Sequence, residues 1–294
     1  MTQSIVTYGN CQARGLSNLL RRCLPGSGYS IEFLSNNPRT GRMKPLREIL
    51  STISRCDVLI CQPLSSKHGK LSPDYIRQSV IGHQATVASF PYIFNNGMYS
   101  LTHAPVAQGR EYGCIYGEES IVPLLEKHSL GTVFGLYRDS QIDFRLETRF
   151  SMCLDELRRR EQLTDIKLAD YMAGNYRQSK LLLTHNHPAT SLYLQILSQI
   201  GDITDIPLSL GRIDAKDENL ADLPVPYGSP ISPYDKAVHG FRFVHQPDWL
   251  ARGRYLIALI AQHHPGGQPR LNRLAARRWL LAHRLMRRLH LLPR

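Results

Sequence analysis

The sequence predicts an α/β fold: a parallel sheet flanked by helices, with an inserted helical block and a C-terminal basic amphipathic helix. Three observations predict it. Short apolar runs around residues 5, 31, 58 and 87 alternate with stretches of helical periodicity, as βαβ units do. Helical periodicity then takes over across residues 117–179. Finally, residues 249–294 hold ten Arg, no Lys and no Asp or Glu, with apolar residues at helical spacing.

The first unit is residues 4–23. Ser4, Ile5, Val6, Thr7 and Tyr8 form a strand-like run that stops at Gly9-Asn10. Leu16, Leu19, Leu20 and Cys23 then recur at i, i+3, i+4 and i+7, the stripe of an amphipathic helix. Gly9, Asn10, Cys11 and Gln12 must make the turn, with Gly9 and Asn10 as the residues that tolerate a tight or left-handed backbone. A second strand is expected over 29–34, a polar loop with Arg39, Arg42 and Lys44 over 35–44, and a helix over 45–55. Residues 56–63 read as a strand buried on both faces and closed by Gln62-Pro63. The loop 64–71 carries Lys67, His68 and Lys70, and Ser72-Pro73-Asp74 signals a helix start. A fourth strand over 85–90 ends at Pro91. Ligands of parallel sheets bind outside the carboxyl ends of the strands. The loops 9–12, 62–71 and 91–100 therefore share the expected functional edge.

Helices are expected over 140–163 and 164–176, with Asp155, Glu156 and Arg158 to Arg160 on a solvated face. Sheet character returns over 180–184, followed by His185-Asn186-His187-Pro188 and a helix that stops at Gly201. Residues 205–239, with five prolines, read as an ordered wrap or a lid. The expected organisation is an α/β domain over 1–248 with a helical insertion at about 117–179, then a tail over 249–294.

Charge sharpens the division. The chain carries +12, of which the tail holds +10 and the body only +2. A nearly neutral body gives no footprint for nucleic acid. The six cysteines include no C-x-x-C pair, so no zinc or thioredoxin signature is present. Neither a G-x-G-x-x-G nor a G-x-x-x-x-G-K-[ST] motif occurs. With no leader-like segment and no run long enough to span a bilayer, a cytoplasmic protein with reduced thiols is expected.

Cys11 stands at the first turn of a helix, where unpaired N–H groups favour an anion. That setting lowers a thiol's pKa and can hold an oxyanion, so the turn reads as a nucleophile site. The other reading is a small buried residue, since free cysteine is often buried. His185 and His187 are the candidate bases, since alternate residues of an extended segment share a face; otherwise they are ordinary loop residues. As a metal pair H-x-H lacks a third ligand at recognisable spacing. Asn95, in Asn95-Asn96-Gly97, could donate to an oxyanion or simply form a turn. His103 is a weaker candidate. Gln62 could bind a ligand or end its strand, and Arg14 and Lys67 could meet phosphates or remain surface charges.

In the tail, Leu271, Leu274, Ala275, Trp279, Leu281, Ala282, Leu285, Met286 and Leu289 fall mostly on one side of a helical wheel. Arg273, Arg277, Arg284, Arg287 and Arg288 fall mostly on the other, while Arg278, Leu280 and Leu291 break the pattern. This reads as an interfacial helix for an anionic membrane, at the inner face of the cytoplasmic membrane. The alternative is docking on the protein's own body or on a partner.

Three segments together carry a resemblance: Tyr8-Gly9-Asn10-Cys11-Gln12 with Arg14, Cys56-Asp57-Val58-Leu59-Ile60-Cys61-Gln62, and Thr184-His185-Asn186-His187-Pro188. Over roughly residues 4–200 the chain resembles the WcbI-like family of bacterial capsular polysaccharide biosynthesis proteins. The resemblance implies an acetyltransferase that binds coenzyme A, on an SGNH/flavodoxin-like core. It puts Cys11 at the nucleophile position and His185 or His187 at the base position. SGNH hydrolases carry an Asp three residues before the histidine, where this chain has Leu182 or Thr184; a Cys–His pair is expected instead of a triad. The expected reaction is acyl transfer, acetyl first, from a coenzyme A thioester to a sugar hydroxyl of a surface or capsular polysaccharide. Gly9, Asn10, Gln12, Arg14, Gln62 and Lys67 would line the cofactor, and Asn95 would assist at the oxyanion. A cysteine-dependent SGNH-like esterase and a non-catalytic, membrane-docked glycan-assembly protein are the alternatives.

Overall fold

Ile5, Val6, Thr7 and Tyr8 are buried in β1 (Gln3–Gly9), an inner strand paired on both sides. The computed structural model describes residues 2–24, 26, 28–37, 44–63, 72, 75–76, 78, 85–104, 114–221, 229–243, 248–263 and 269–288. After β1 come α1 (Cys11–Cys23), β2 (Tyr29–Ser35), α2 (Leu46–Ile53), β3 (Val58–Cys61) and β4 (Thr86–Ser89). Next are the short strands β5 (Thr102–Ala104) and β6 (Cys114–Tyr116), then α3 (Glu118–Lys127), α4 (Leu130–Arg138) and α5 (Leu146–Glu161). The remaining helices are α6 (Ala169–Asn175), α7 (Thr190–Thr204), α8 (Pro233–His239), α9 (Trp249–His263) and α10 (Pro269–Arg288).

The α/β class stands. The four parallel strands run in the order β2-β1-β3-β4, with Ile5 opposite Ile31 on one side and Val58 on the other. The chain divides into two compact units, at boundaries other than those expected from sequence. Unit 1 is Met1–Phe94 with Leu154–Pro224, and unit 2 is Asn95–Cys153 with Val225–Arg294. The helical block over 117–179 is therefore not one insertion: α5 itself passes from one unit into the other.

Unit 1 holds the parallel sheet. Leu16, Leu19, Leu20 and Cys23 of α1 are fully buried, as their spacing predicts. Each leucine so buried contributes about 2 kcal/mol. In α7, Leu192, Tyr193, Ile196, Leu197 and Ile200 form the buried stripe. The carboxyl end of β4 is anchored where Ser89 donates through both its N–H and its hydroxyl to Asp165 Oδ2, at 2.8 and 2.6 Å.

One expected strand is absent. Residues 180–184 do not join the sheet; Leu182 makes an isolated antiparallel bridge with Pro188. Leu183 N–H donates to the His187 carbonyl at 2.7 Å, and Ala189 N–H to the Leu181 carbonyl at 2.9 Å. The segment satisfies its backbone by folding back on itself, so the apolar run marks a buried loop and not a fifth parallel strand.

Unit 2 contains the antiparallel pair β5–β6 and a helical core. Leu101, Ile115, Ile121, Val133, Tyr137 and Phe144 pack with Leu256 to Ala261 of α9 and with Ala276 and Leu280 of α10. The expected helix start at residue 140 fails because Ser140 and Arg145 both take positive φ, 58° and 50°, and helix begins only at Leu146.

The basic tail is thus part of unit 2. Asn272 on α10 is buried: its Nδ2 donates to the carbonyls of Leu125 and His128 at 3.0 and 3.1 Å. Its Oδ1 accepts from Leu130 N–H at 2.9 Å. These are end groups of α3 and α4, which have no partner within their own helices. The docked face is Asn272, Ala276 and Leu280, with Trp279 against Phe134. The expected apolar face is corrected accordingly: Leu274 and Leu281 point to solvent, and Leu280, which broke the wheel pattern, is core.

Candidate active site

The turn after β1 is built by a cap. Asn10 is extended, with φ −89° and ψ −154°, and its Oδ1 accepts from Gln12 N–H at 2.8 Å. Cys11 is therefore the first helical residue, at the carboxyl edge of the central strand. The turn is tight without a left-handed residue: Asn10 is extended and Gly9 does not take positive φ. Gly9 is needed for close approach instead. A Cβ there would sit 2.7 Å from Ala13 Cβ and 3.0 Å from Gln62 Cβ.

Gln12 organises the site. Its side chain is fully buried and all its hydrogen-bonding capacity is filled. Nε2 donates to the carbonyls of Ile93 and Asn186, both at 2.7 Å. Oε1 accepts from Gln62 Nε2 at 2.9 Å and from Ile93 N–H at 3.1 Å. The Tyr193 hydroxyl donates to the Gln12 carbonyl at 3.0 Å. One amide thus joins the ends of β1, β3 and β4 to the residue between the two histidines. The Gln12 amide is taken up wholly by this framework, and Gln62 joins it through Nε2.

The histidine loop reaches the Cys11 turn by this tether, not by sheet pairing. Asn186 Nδ2 also donates to the Tyr92 hydroxyl at 3.1 Å. Arg160 lies over the Tyr92 ring at 5.3 Å and donates to the Tyr92 carbonyl at 2.9 Å. The Phe94 ring meets His185 edge-on at 5.5 Å. Sequence reading missed Tyr92, Arg160, Asn186 and Tyr193. Asn186 was legible from its place between two candidate bases, whereas Arg160 read as one of a run of surface arginines.

Electrostatics departs from expectation at the sulfur. Burial pushes the Cys11 thiol up from its ordinary value, and the N–H groups of Gln12 and Cys11 itself only partly oppose this. The Gln12 N–H is shared with the Asn10 cap, which weakens its hold on the sulfur. No imidazole is among the groups that shift the thiol. Cys11 is half-buried, and a negative charge on it would disfavour ionisation of Tyr92 and Tyr193. Burial pushes His187 down to about 4, so it is a neutral imidazole near pH 7, and its Nδ1 is a buried atom without a hydrogen-bond partner. A neutral ring is the form that can take up a proton, and the burial that keeps it neutral also makes it a weaker base.

The other expected residues fall as follows. Arg14 is exposed on the first turn of α1, where a phosphate could reach it. Asn95 lies in unit 2, where its Nδ2 donates to the Phe150 carbonyl at 3.3 Å and its Oδ1 accepts from Gly97 N–H at 2.9 Å. That is a turn-closing role and lends no support to an oxyanion role. His103 is in β5 of unit 2. Lys67 and Lys70 lie outside the described residues. Among the described residues no group of three His, Cys, Asp or Glu side chains is placed to hold a metal ion.

The sequence model of a family described as polysaccharide biosynthesis enzyme WcbI matches residues 4–209, which include every residue of the Gln12 network. No curated protein matches the chain. A solved structure of WcbI, a novel polysaccharide biosynthesis enzyme, is similar at 19% identity and a TM-score of 0.59. The likeness covers 95% of this chain and 99% of that one. That structure is described as the native protein without a disulfide bond between coenzyme A and one of its cysteines.

Proposed function

The chain belongs to the family of the polysaccharide biosynthesis enzyme WcbI, and from that premise we propose that it transfers an acyl group, acetyl first, from a coenzyme A thioester to a sugar hydroxyl. One observation carries the reading: Gln12 ties the Cys11 turn to the loop that bears His185 and His187. The residues fit the thioester. A half-buried thiol at the sheet's carboxyl edge can meet a second sulfur, as the coenzyme A–cysteine disulfide named for WcbI requires. Arg14, exposed one turn away, suits the phosphates.

When bound, the thioester supplies the activated acyl group. Cys11 would line its place, and the Cys11 N–H beside the sulfur would help to hold an oxyanion, since the Gln12 N–H already serves the Asn10 cap. His187, kept neutral by burial, would take the proton of the sugar hydroxyl as its C–O bond to the acyl carbon forms and pass it to the coenzyme A sulfur as the thioester C–S bond breaks. Gln12 and Gln62 hold these parts in register. A thiol kept protonated by burial suits a pocket wall better than a standing thiolate.

Two measurements test this. Titration calorimetry should show coenzyme A binding, with Arg14→Ala weakening it on the order of tenfold. Incubation with acetyl-coenzyme A and a sugar acceptor should give acetylated sugar, and His187→Ala should lower the rate by about 100-fold or more. Free acetate as the sole product would make the protein a hydrolase and overturn the transferase reading.

A further inference from the structure

α10 has two working faces, and unit 2 uses only one. Asn272, Ala276 and Leu280 are fixed inward. Leu274 and Leu281 are 54% and 64% exposed, although exposed large hydrophobic residues are few among the described residues. They stand one heptad apart, so the helical repeat sets them within about 20° of each other on the surface. Arg277 and Arg278, both exposed, flank them. Two leucines edged by two arginines, on a segment with no carboxylate from residue 249 to 294, match an anionic apolar surface. No helix of the described residues is long and apolar enough to cross a membrane.

We propose that this outer face of α10 lies on an anionic lipid bilayer, with Leu274 and Leu281 entering the acyl boundary and Arg277 and Arg278 meeting lipid phosphates. Because the inner face is held by Asn272, docking requires no release of α10 from unit 2. A soluble polyanion would use the arginines but leave the leucines unemployed, so the leucines distinguish a bilayer from an acidic glycan.

The test is sedimentation of the full chain with vesicles. Binding is expected to vesicles of phosphatidylglycerol and phosphatidylcholine at about one to three, and not to phosphatidylcholine alone. The double substitution Leu274→Ser/Leu281→Ser should lower the bound fraction on the order of tenfold, with the unfolding midpoint unchanged. Arg277→Glu/Arg278→Glu should lower it as strongly, and added salt should weaken the native protein's binding. Any of three results would overturn the proposal: no binding to anionic vesicles, binding that survives loss of both leucines, or dextran sulfate binding that the leucine substitutions reduce equally. A dimer in solution that the leucine substitutions dissolve would assign the face to a second copy instead.

Discussion

Gln12 and Asn272 are both buried carboxamides in the first turn of a helix, and each clamps several backbone groups. In α1 the clamp and the apolar stripe agree. Gln12 faces inward with Leu16, Leu19, Leu20 and Cys23, so one side of the helix is wholly committed. In α10 they disagree. Asn272 turns Ala276 and Leu280 inward and leaves Leu274 and Leu281 outside. A polar side chain that satisfies the loose ends of two other helices can thus choose the buried face against the apolar pattern. The first clamp fixes a chemical site; the second fixes a surface.

The largest expected effect tests the first clamp. Gln12→Ala leaves Ile93 N–H, the carbonyls of Ile93 and Asn186, and Gln62 Nε2 without their partner. It should cost on the order of 4 kcal/mol in urea unfolding, and any activity should fall by about 100-fold as the histidine loop shifts. Unchanged stability would remove Gln12 from the centre of unit 1. Next, Asn272→Ala should cost about 2–3 kcal/mol, whereas Leu274→Ala on the same helix should change stability by less than about 0.5 kcal/mol. Equal effects from the two would erase the distinction between α10's faces.

Acidity should then separate the units. His187, pushed down to about 4, favours the folded state of unit 1 fully above its ordinary 6.5 and loses that contribution as pH falls through 4. Asp235 in unit 2 is buried against Ser100 and Ser232 and pushed up to about 6. Its contribution is fully present below 3.8 and is lost as pH rises through 6. Hydrogen exchange followed from neutral to acid pH should show unit 1 loosening while unit 2 tightens; parallel behaviour would refute one of the two assignments. Gly15→Ala tests the first clamp by crowding it. Its Cβ would lie 2.6 Å from the Tyr193 hydroxyl, whose bond to the Gln12 carbonyl must yield, at about 1–2 kcal/mol in the same unfolding assay.

Legibility followed the same line. The α1 stripe, the strands β1 to β4 and the position of Cys11 were readable because local propensity, period and burial coincide there. The run 180–184 misled because an apolar segment can be buried as a loop that bonds to itself. The roles of Gln12 and Gln62 were hidden because nothing local says whether an amide at a strand end meets a ligand or another amide. The raised thiol was hidden too, since Tyr92 and Tyr193, the side chains that sense its charge, are far away in sequence. The crossing between units at 153/154 was missed because it falls inside a helix without a composition break.

Unit 2 draws its core from two stretches, 95–153 and 225–294, with the second half of unit 1 spelled out between them. On the ribosome, residues 95–153 therefore emerge with the apolar cover supplied by α9 and α10 still untranslated. A nascent chain of this kind holds Leu101, Ile115 and Val133 open until residues 249–288 have been made. Shortening the protein to its family-matched 4–209 would make that waiting state permanent.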